Sequence, residues 1–203
     1  MKTTRSYKQK TRSSSSRGFT LLELLVVMAI MLVITSLVLA RHAQFNGTVL
    51  LRNLAYDVAL SIRQAQVYGI SGRSAAGVTD VQYGVYLSSA NPSQYVLFAD
   101  TNSGGSYTSG TDVELEVYNV RAGYTISNFC GQLANGTTKC RTGGTGGTIT
   151  SLTIMFKRPD PDARITSDLA GDTYAEATIT VLSPTGFSRV VTVTSTGQMS
   201  VQQ

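Results

Sequence analysis

From Phe19 to Ala40 the chain reads FTLLELLVVMAIMLVITSLVLA, a run with one ionisable side chain, Glu23. As a helix these 22 residues would be about 33 Å long at ~1.5 Å per residue, close to the ~30 Å hydrocarbon core of a bilayer. The run is apolar on all sides, so its place is in lipid or in a bundle of like helices rather than on the surface of a domain. Six basic residues (Lys2, Arg5, Lys8, Lys10, Arg12 and Arg17) and no acid precede it. That asymmetry predicts that the N-terminus stays in the cytoplasm and the rest of the chain is exported. A secretory signal peptide would have a shorter apolar region and a small-x-small cleavage site, whereas here Arg41 and His42 follow directly. A plain signal anchor accounts for everything except Glu23. His42, the only histidine, has its simplest place in the headgroup zone.

The same count disposes of an argument from charge. The net charge of +5 over 203 residues suggests an anionic partner, but from residue 19 onward eleven bases face all twelve acids, a formal charge of −1. If the basic leader is removed, the polyanion argument goes with it. A chain that is 42% hydrophobic and 14% charged is not disordered. Two cysteines and one histidine make a structural zinc site a poor fit, and no metal or cofactor is expected.

Glu23 needs an explanation because a carboxylate in a membrane helix costs about 2.5–3.5 kcal/mol on insertion scales and normally has a partner. None follows at helical spacing, since positions 26, 27 and 30 are Val, Val and Ile. A free α-amino group at Phe19, made by cutting after Gly18, would supply one, within a chain or between neighbours. The residues Arg17-Gly18-Phe19-Thr20-Leu21-Leu22-Glu23-Leu24-Leu25-Val26-Val27 resemble the class III signal of type IV pilins and type II secretion pseudopilins. The resemblance implies that prepilin peptidase cuts after Gly18, that Phe19 becomes the N-methylated first residue, and that Glu23 is the filament-assembly glutamate. It further implies an inner-membrane precursor with an exported head, other pilins or pseudopilins as partners, and no enzymatic activity.

Beyond the run, Leu51, Leu54, Ala55, Val58, Ile62 and Ala65 fall on one face of a 3.6-residue helix, and Gly69 and Gly72 mark its end. One long helix from about 20 to about 70 is expected, loosened at Asn46-Gly47, where propensity is poor. The organisation expected is a leader (1–18), a membrane or filament-core helix (19–40), an amphipathic continuation (41–72) and a β-rich head (73–203). Candidate strands are Val81–Ser88, Gln94–Ala99, Glu114–Tyr118, Tyr124–Phe129, Ile149–Phe156, Ala175–Leu182, Arg189–Thr194 and Met199–Val201. The fold class is therefore α+β, a long N-terminal helix packed on an antiparallel β head.

Within the head, the Gly/Ser-rich segment 100–112 reads as a flexible surface loop. Calcium is a weaker alternative, because Asp100 and Asp112 are far apart and no D-x-D-x-D-G order exists. Cys130 and Cys140 flank a turn signal, Asn135-Gly136, and in an exported domain a disulfide is the default. It would stabilise by roughly 2.5–3 kcal/mol on chain-entropy grounds. No histidine lies downstream to activate either cysteine as a nucleophile. Lys157-Arg158-Pro159-Asp160-Pro161-Asp162-Ala163-Arg164 reads as a stiff, solvated loop after a strand; Lys157, Arg158 and Arg164, with Arg189, offer contacts for an anionic partner. The head and its ending SRVVTVTSTGQMSV resemble the H-type minor pseudopilins and FimT-like minor pilins, some of which bind DNA during natural transformation. Here Gly197-Gln198 stands where a Gly-Arg turn is usual. Two functions follow from the resemblance, a structural subunit of a type IV pilus or secretion pseudopilus and, as the alternative, a DNA-binding minor pilin.

Overall fold

The computed structural model of the protein describes residues 18–202, with only the helical backbone described for residues 40–46. The expectations for the basic leader up to Arg17, and for the side chain of His42, lie outside the described residues. The chain divides into two units, one ending at Ala43 and one beginning at Gln44. Helix α1, Leu21–Ser71, contributes to both.

In the first unit, Gly18-Phe19-Thr20 is non-helical and exposed, and α1 starts at Leu21. The stretch Leu21–Leu39 is the one helical segment among the described residues long and apolar enough to cross a membrane. Its large apolar side chains are all exposed, from Val26 at 46% to Leu21 at 82%.

In the second unit the same helix becomes one-sided. Leu51, Ala55, Val58, Ile62 and Ala65 are buried, while Arg52, Tyr56, Leu60 and Val67 face outward. The helix runs unbroken through Asn46-Gly47, against the expected loosening. Tertiary contact offsets the weak propensity, since the Tyr124 hydroxyl donates to the Gly47 carbonyl at 3.1 Å. The helix ends where Gly72 adopts φ +65°, the left-handed C-cap that glycine takes without steric cost. Gly69 serves a different need, because a Cβ there would lie 2.5 Å from the Phe156 carbonyl oxygen. Helix backbone and strand backbone meet at that point.

Ten strands follow: β1 Gln82–Ser88, β2 Gln94–Asp100, β3 Val113–Asn119, β4 Thr125–Gln132, β5 Thr138–Cys140, β6 Ser151–Lys157, β7 Asp160–Ser167, β8 Glu176–Leu182, β9 Ser188–Thr194 and β10 Met199–Gln202. They form two antiparallel five-stranded sheets, ordered β3-β2-β1-β6-β7 and β10-β9-β8-β4-β5. Alternation sets the inner faces. Tyr83, Val85 and Leu87 of β1, Leu152, Ile154 and Phe156 of β6, Ile179 and Val181 of β8, and Val191 and Val193 of β9 join the helix face in one core. The α+β arrangement expected from the sequence, a helix on antiparallel sheets, is what the structure shows.

Two expectations are corrected. The charged stretch after Lys157 is not a solvated loop. From Asp160 it is the edge strand β7, paired with β6 from Lys157↔Asp160 to Leu152↔Ser167. An edge strand has ladder bonds on one side only, so it tolerates Pro161, and its outer face keeps Asp162 and Arg164 in water. Segment 100–112 is not a loose loop either. The buried Asp100 accepts the Gly104 and Gly105 N–H groups at 3.0 Å, and the buried Asp112 accepts those of Thr101 (3.1 Å) and Thr108 (2.7 Å). So anchored, the segment lays Tyr107 against Tyr86 and Phe98, over a second small apolar cluster of Val96, Phe98 and Met155 on the outer face of the first sheet.

Candidate functional site at the start of the stem

The chemistry-bearing end of the molecule is built by one local device. Thr20 caps α1: its Oγ1 accepts the Glu23 N–H at 3.2 Å, and its carbonyl accepts the Leu24 N–H at 3.2 Å. Thr20-Leu21-Leu22-Glu23 has the capping-box spacing, a signal present in the sequence that the reading of Glu23 as a lone charge passed over. Glu23 therefore sits in the first helical turn, where the macrodipole favours a negative charge. Its carboxylate is exposed, and among the described residues it has no hydrogen-bond or ion-pair partner. Just ahead, the Gly18–Phe19 peptide lies outside the helix with both residues exposed, and a Cβ at Gly18 would meet nothing within 4 Å. The site thus combines an open, non-helical peptide, an exposed phenylalanine and, in the first turn of an apolar helical stretch, a carboxylate without a partner among the described residues.

The stem itself is prepared for an apolar medium. Its two hydroxyl side chains bond back to the helix, Thr35 to the Met31 carbonyl at 2.7 Å and Ser36 to the Val33 carbonyl at 2.9 Å. No side-chain donor is then left to seek water.

The other candidate residues lie in the head and are not one cluster. Lys157, the last residue of β6, and Arg158, in the turn after it, converge on Asp80 at 3.0 and 3.1 Å. Hydrogen bonds from Lys157 and then Arg158 hold the Asp80 carboxyl below its ordinary range. Arg164 stands on β7 with its guanidinium beside Gly105 of the anchored segment. Arg189 is the second residue of β9 in the other sheet, opposite Val181. Cys130 and Cys140 are directly opposite each other across β4 and β5 and are joined by a disulfide. Lys139, next to Cys140, pairs with Asp172, and that hydrogen bond raises the Lys139 pKa. The Asp100 and Asp112 carboxylates are occupied by backbone N–H groups, and no group of three metal-ligating side chains occurs among the described residues. A hollow of about 650 Å³ in the head, lined by Tyr56, Leu60, Arg63, Gln66, Gly197 and Met199 among others, brings no acid to its one arginine.

With this geometry in place, comparison with known proteins is informative at one end of the chain. Residues 13–39 match the family model of the prokaryotic N-terminal methylation motif. The match covers the stretch that contains Gly18, Phe19 and Glu23 and does not extend into the head; a motif of this kind suggests a pilin-like subunit processed by prepilin peptidase. No curated protein and no solved structure matches the chain.

Proposed function

We propose that the protein is a pilin-like structural subunit, cut by prepilin peptidase between Gly18 and Phe19, N-methylated on Phe19, and assembled into a type IV pilus or type II secretion pseudopilus. The precursor is held in the inner membrane by the stem, with the head exported. The observation that carries this reading is Glu23, an exposed carboxylate without a partner among the described residues, in the first turn of α1 and the one charge in its apolar stretch Leu21–Leu39, four residues from the amine that cleavage would create. In an apolar medium that carboxylate and that amine each require an opposite charge, and a neighbouring copy supplies both at once. The same pairing would fix the stagger between packed stems.

The experiment follows from the charge. Glu23→Ala removes the pairing but leaves Gly18 and Phe19 in place. Cells carrying it should show normal cleavage, read by mass spectrometry of the N-terminus, and no subunit in sheared filaments. Normal incorporation of Glu23→Ala would refute the mechanism. The DNA-binding alternative draws less support, because Asp80 already pairs with Lys157 and Arg158, and Arg189 belongs to the other sheet.

A further inference from the structure

The charges of the head are distributed unevenly, and the segments that meet at the end where α1 enters carry arginines and no acid of their own. Four segments meet there. The Tyr124 hydroxyl bonds the Gly47 carbonyl, and Thr185 Oγ1 lies 3.9 Å from where a Gly47 Cβ would be. Pro184 lies against Gly123, and the 89–93 turn accepts the Val120 and Ile126 N–H groups through Ser93 and Pro92, both at 2.8 Å. Segments 44–53, 89–93, 119–128 and 182–190 together hold Arg52, Arg121 and Arg189 and not one Asp or Glu. Residues 44–203 carry ten bases and eleven acids in all, so elsewhere seven bases face eleven acids. The adjacent acids are Asp168, whose carboxylate is taken up by Thr150 and Ser151, and Asp57, which shares a shallow cleft with Arg121. None of the three arginines has an ion-pair partner among the described residues; Arg52 lies over the Tyr56 ring.

This basic end also presents Phe187, 54% exposed at the tip of the β8–β9 hairpin. Phe187 is held in place rather than trailing, since its N–H donates to Ser183 Oγ at 3.1 Å and its carbonyl accepts the Ser183 N–H at 2.8 Å. Gly47, on which these segments converge, is eight residues past Leu39 in the sequence, so the chain itself ties this end of the head to the apolar stretch. An exposed aromatic side chain at an end of the head that carries three arginines without ion-pair partners among the described residues, with Asp57 at its border, is complementary to a bilayer interface with anionic headgroups.

We propose that this end of the head, through Phe187 with Arg52, Arg121 and Arg189, is a contact surface for anionic phospholipid headgroups, used while the subunit waits in the membrane. The proposal rests on the stem spanning a bilayer. The chain has no tryptophan, so one introduced residue becomes the sole tryptophan reporter.

The test uses the full chain reconstituted in vesicles of phosphatidylglycerol and phosphatidylcholine with brominated acyl chains, which quench only tryptophans at the bilayer. Phe187→Trp should lose about twofold or more of its emission in phosphatidylglycerol-containing vesicles, and that loss should shrink in high salt and in the Arg121→Ser, Arg189→Ser background. Val78→Trp, beyond the other end of the head helix, should not be quenched. Val33→Trp reports the stem separately. If Val33→Trp is quenched and Phe187→Trp is not, the headgroup surface is wrong while the membrane span stands. If neither is quenched, the span fails and this surface with it. A Phe187→Trp signal that responds to duplex DNA but not to brominated lipid overturns the lipid assignment in favour of a nucleic-acid surface.

Discussion

Leu32 and Ile62 belong to the same helix and have side chains of equal size, yet Leu32 is 71% exposed and Ile62 is 0% exposed. The difference is in the pattern around them. Near Ile62, apolar residues recur at Leu51, Ala55, Val58 and Ala65 on one side, so one strip is removed from water by the sheets, at about 1.5–3 kcal/mol per large side chain. Near Leu32 every side is apolar, and the large side chains of Leu21–Leu39 are exposed all round. The head half of the helix is satisfied internally. The stem half keeps its large apolar side chains exposed, and in the proposed function lipid or other stems cover them. Burial and exposure of apolar side chains are thereby separated along a single helix.

The largest effect should fall on the head half. Ile62→Ala removes methylenes from a fully buried site and should lower head stability by about 2–5 kcal/mol, whereas Leu32→Ala should leave it unchanged. Urea unfolding of the full chain in detergent, followed by near-ultraviolet dichroism of the head tyrosines, checks both; an equal loss from each would erase the distinction. Next comes the disulfide. Cys130→Ser with Cys140→Ser opens a loop of sequence separation 10 and should cost roughly 2.5–3 kcal/mol in the same assay. The two glycines that flank the comparison should then diverge. Gly69→Ala drives a Cβ toward the Phe156 carbonyl and should destabilise by about 1–3 kcal/mol, while Gly18→Ala, with open space around it, should leave unfolding unaltered.

The smallest effect is in pH. Asp168 accepts the Thr150 hydroxyl and the Thr150 and Ser151 N–H groups. Desolvation raises its pKa, but these hydrogen bonds outweigh that and hold it below the ordinary carboxylate range. Its stabilising contribution is present in full above the pKa of an unfolded aspartate and lost as pH falls through the depressed folded value. Urea midpoints of the native chain should therefore drop between neutral and strongly acidic pH by more than those of Asp168→Asn, and identical slopes would remove Asp168 from the acid response.

Legibility in the sequence followed the same division. Eight strands were readable because β-branched and aromatic residues alternate over runs such as TYAEATITVL, and seven of them begin and end within two residues of expectation. The eighth, β4, continues three residues past Phe129 to Gln132, since pairing with β8 and β5 carries it on through Cys130 and Gly131. Two strands were not readable. Strand β5 has three residues and no period to detect, and its pairing at Cys130↔Cys140 supplies what its composition does not. Strand β7 begins with Asp-Pro-Asp, which signals a loop anywhere except at a sheet edge. The roles of Asp100 and Asp112 were hidden for a related reason: an acid beside glycines reads as solvated until the backbone N–H groups it accepts are brought around it. At the stem, Gly18, Phe19 and Glu23 stood out directly, because a single charge in an apolar run is a local anomaly that needs no fold to be seen.

The amino-acid order alone determined the stem, its one acid, its capped start and the change from an all-round to a one-sided apolar helix, since each depends on residues within a few turns of one another. Only the tertiary structure decided the order of the strands. Tyr83 faces Phe156 and Thr125 faces Leu182 across separations that no local period encodes, and the closing of both sheets on one helix face selects those partners. It also decided that a proline-rich charged stretch becomes a sheet edge and that the acid-free segments gather at one end of the head. Such outcomes depend on which distant backbones and side chains exclude water together, and that information is spread over the whole chain.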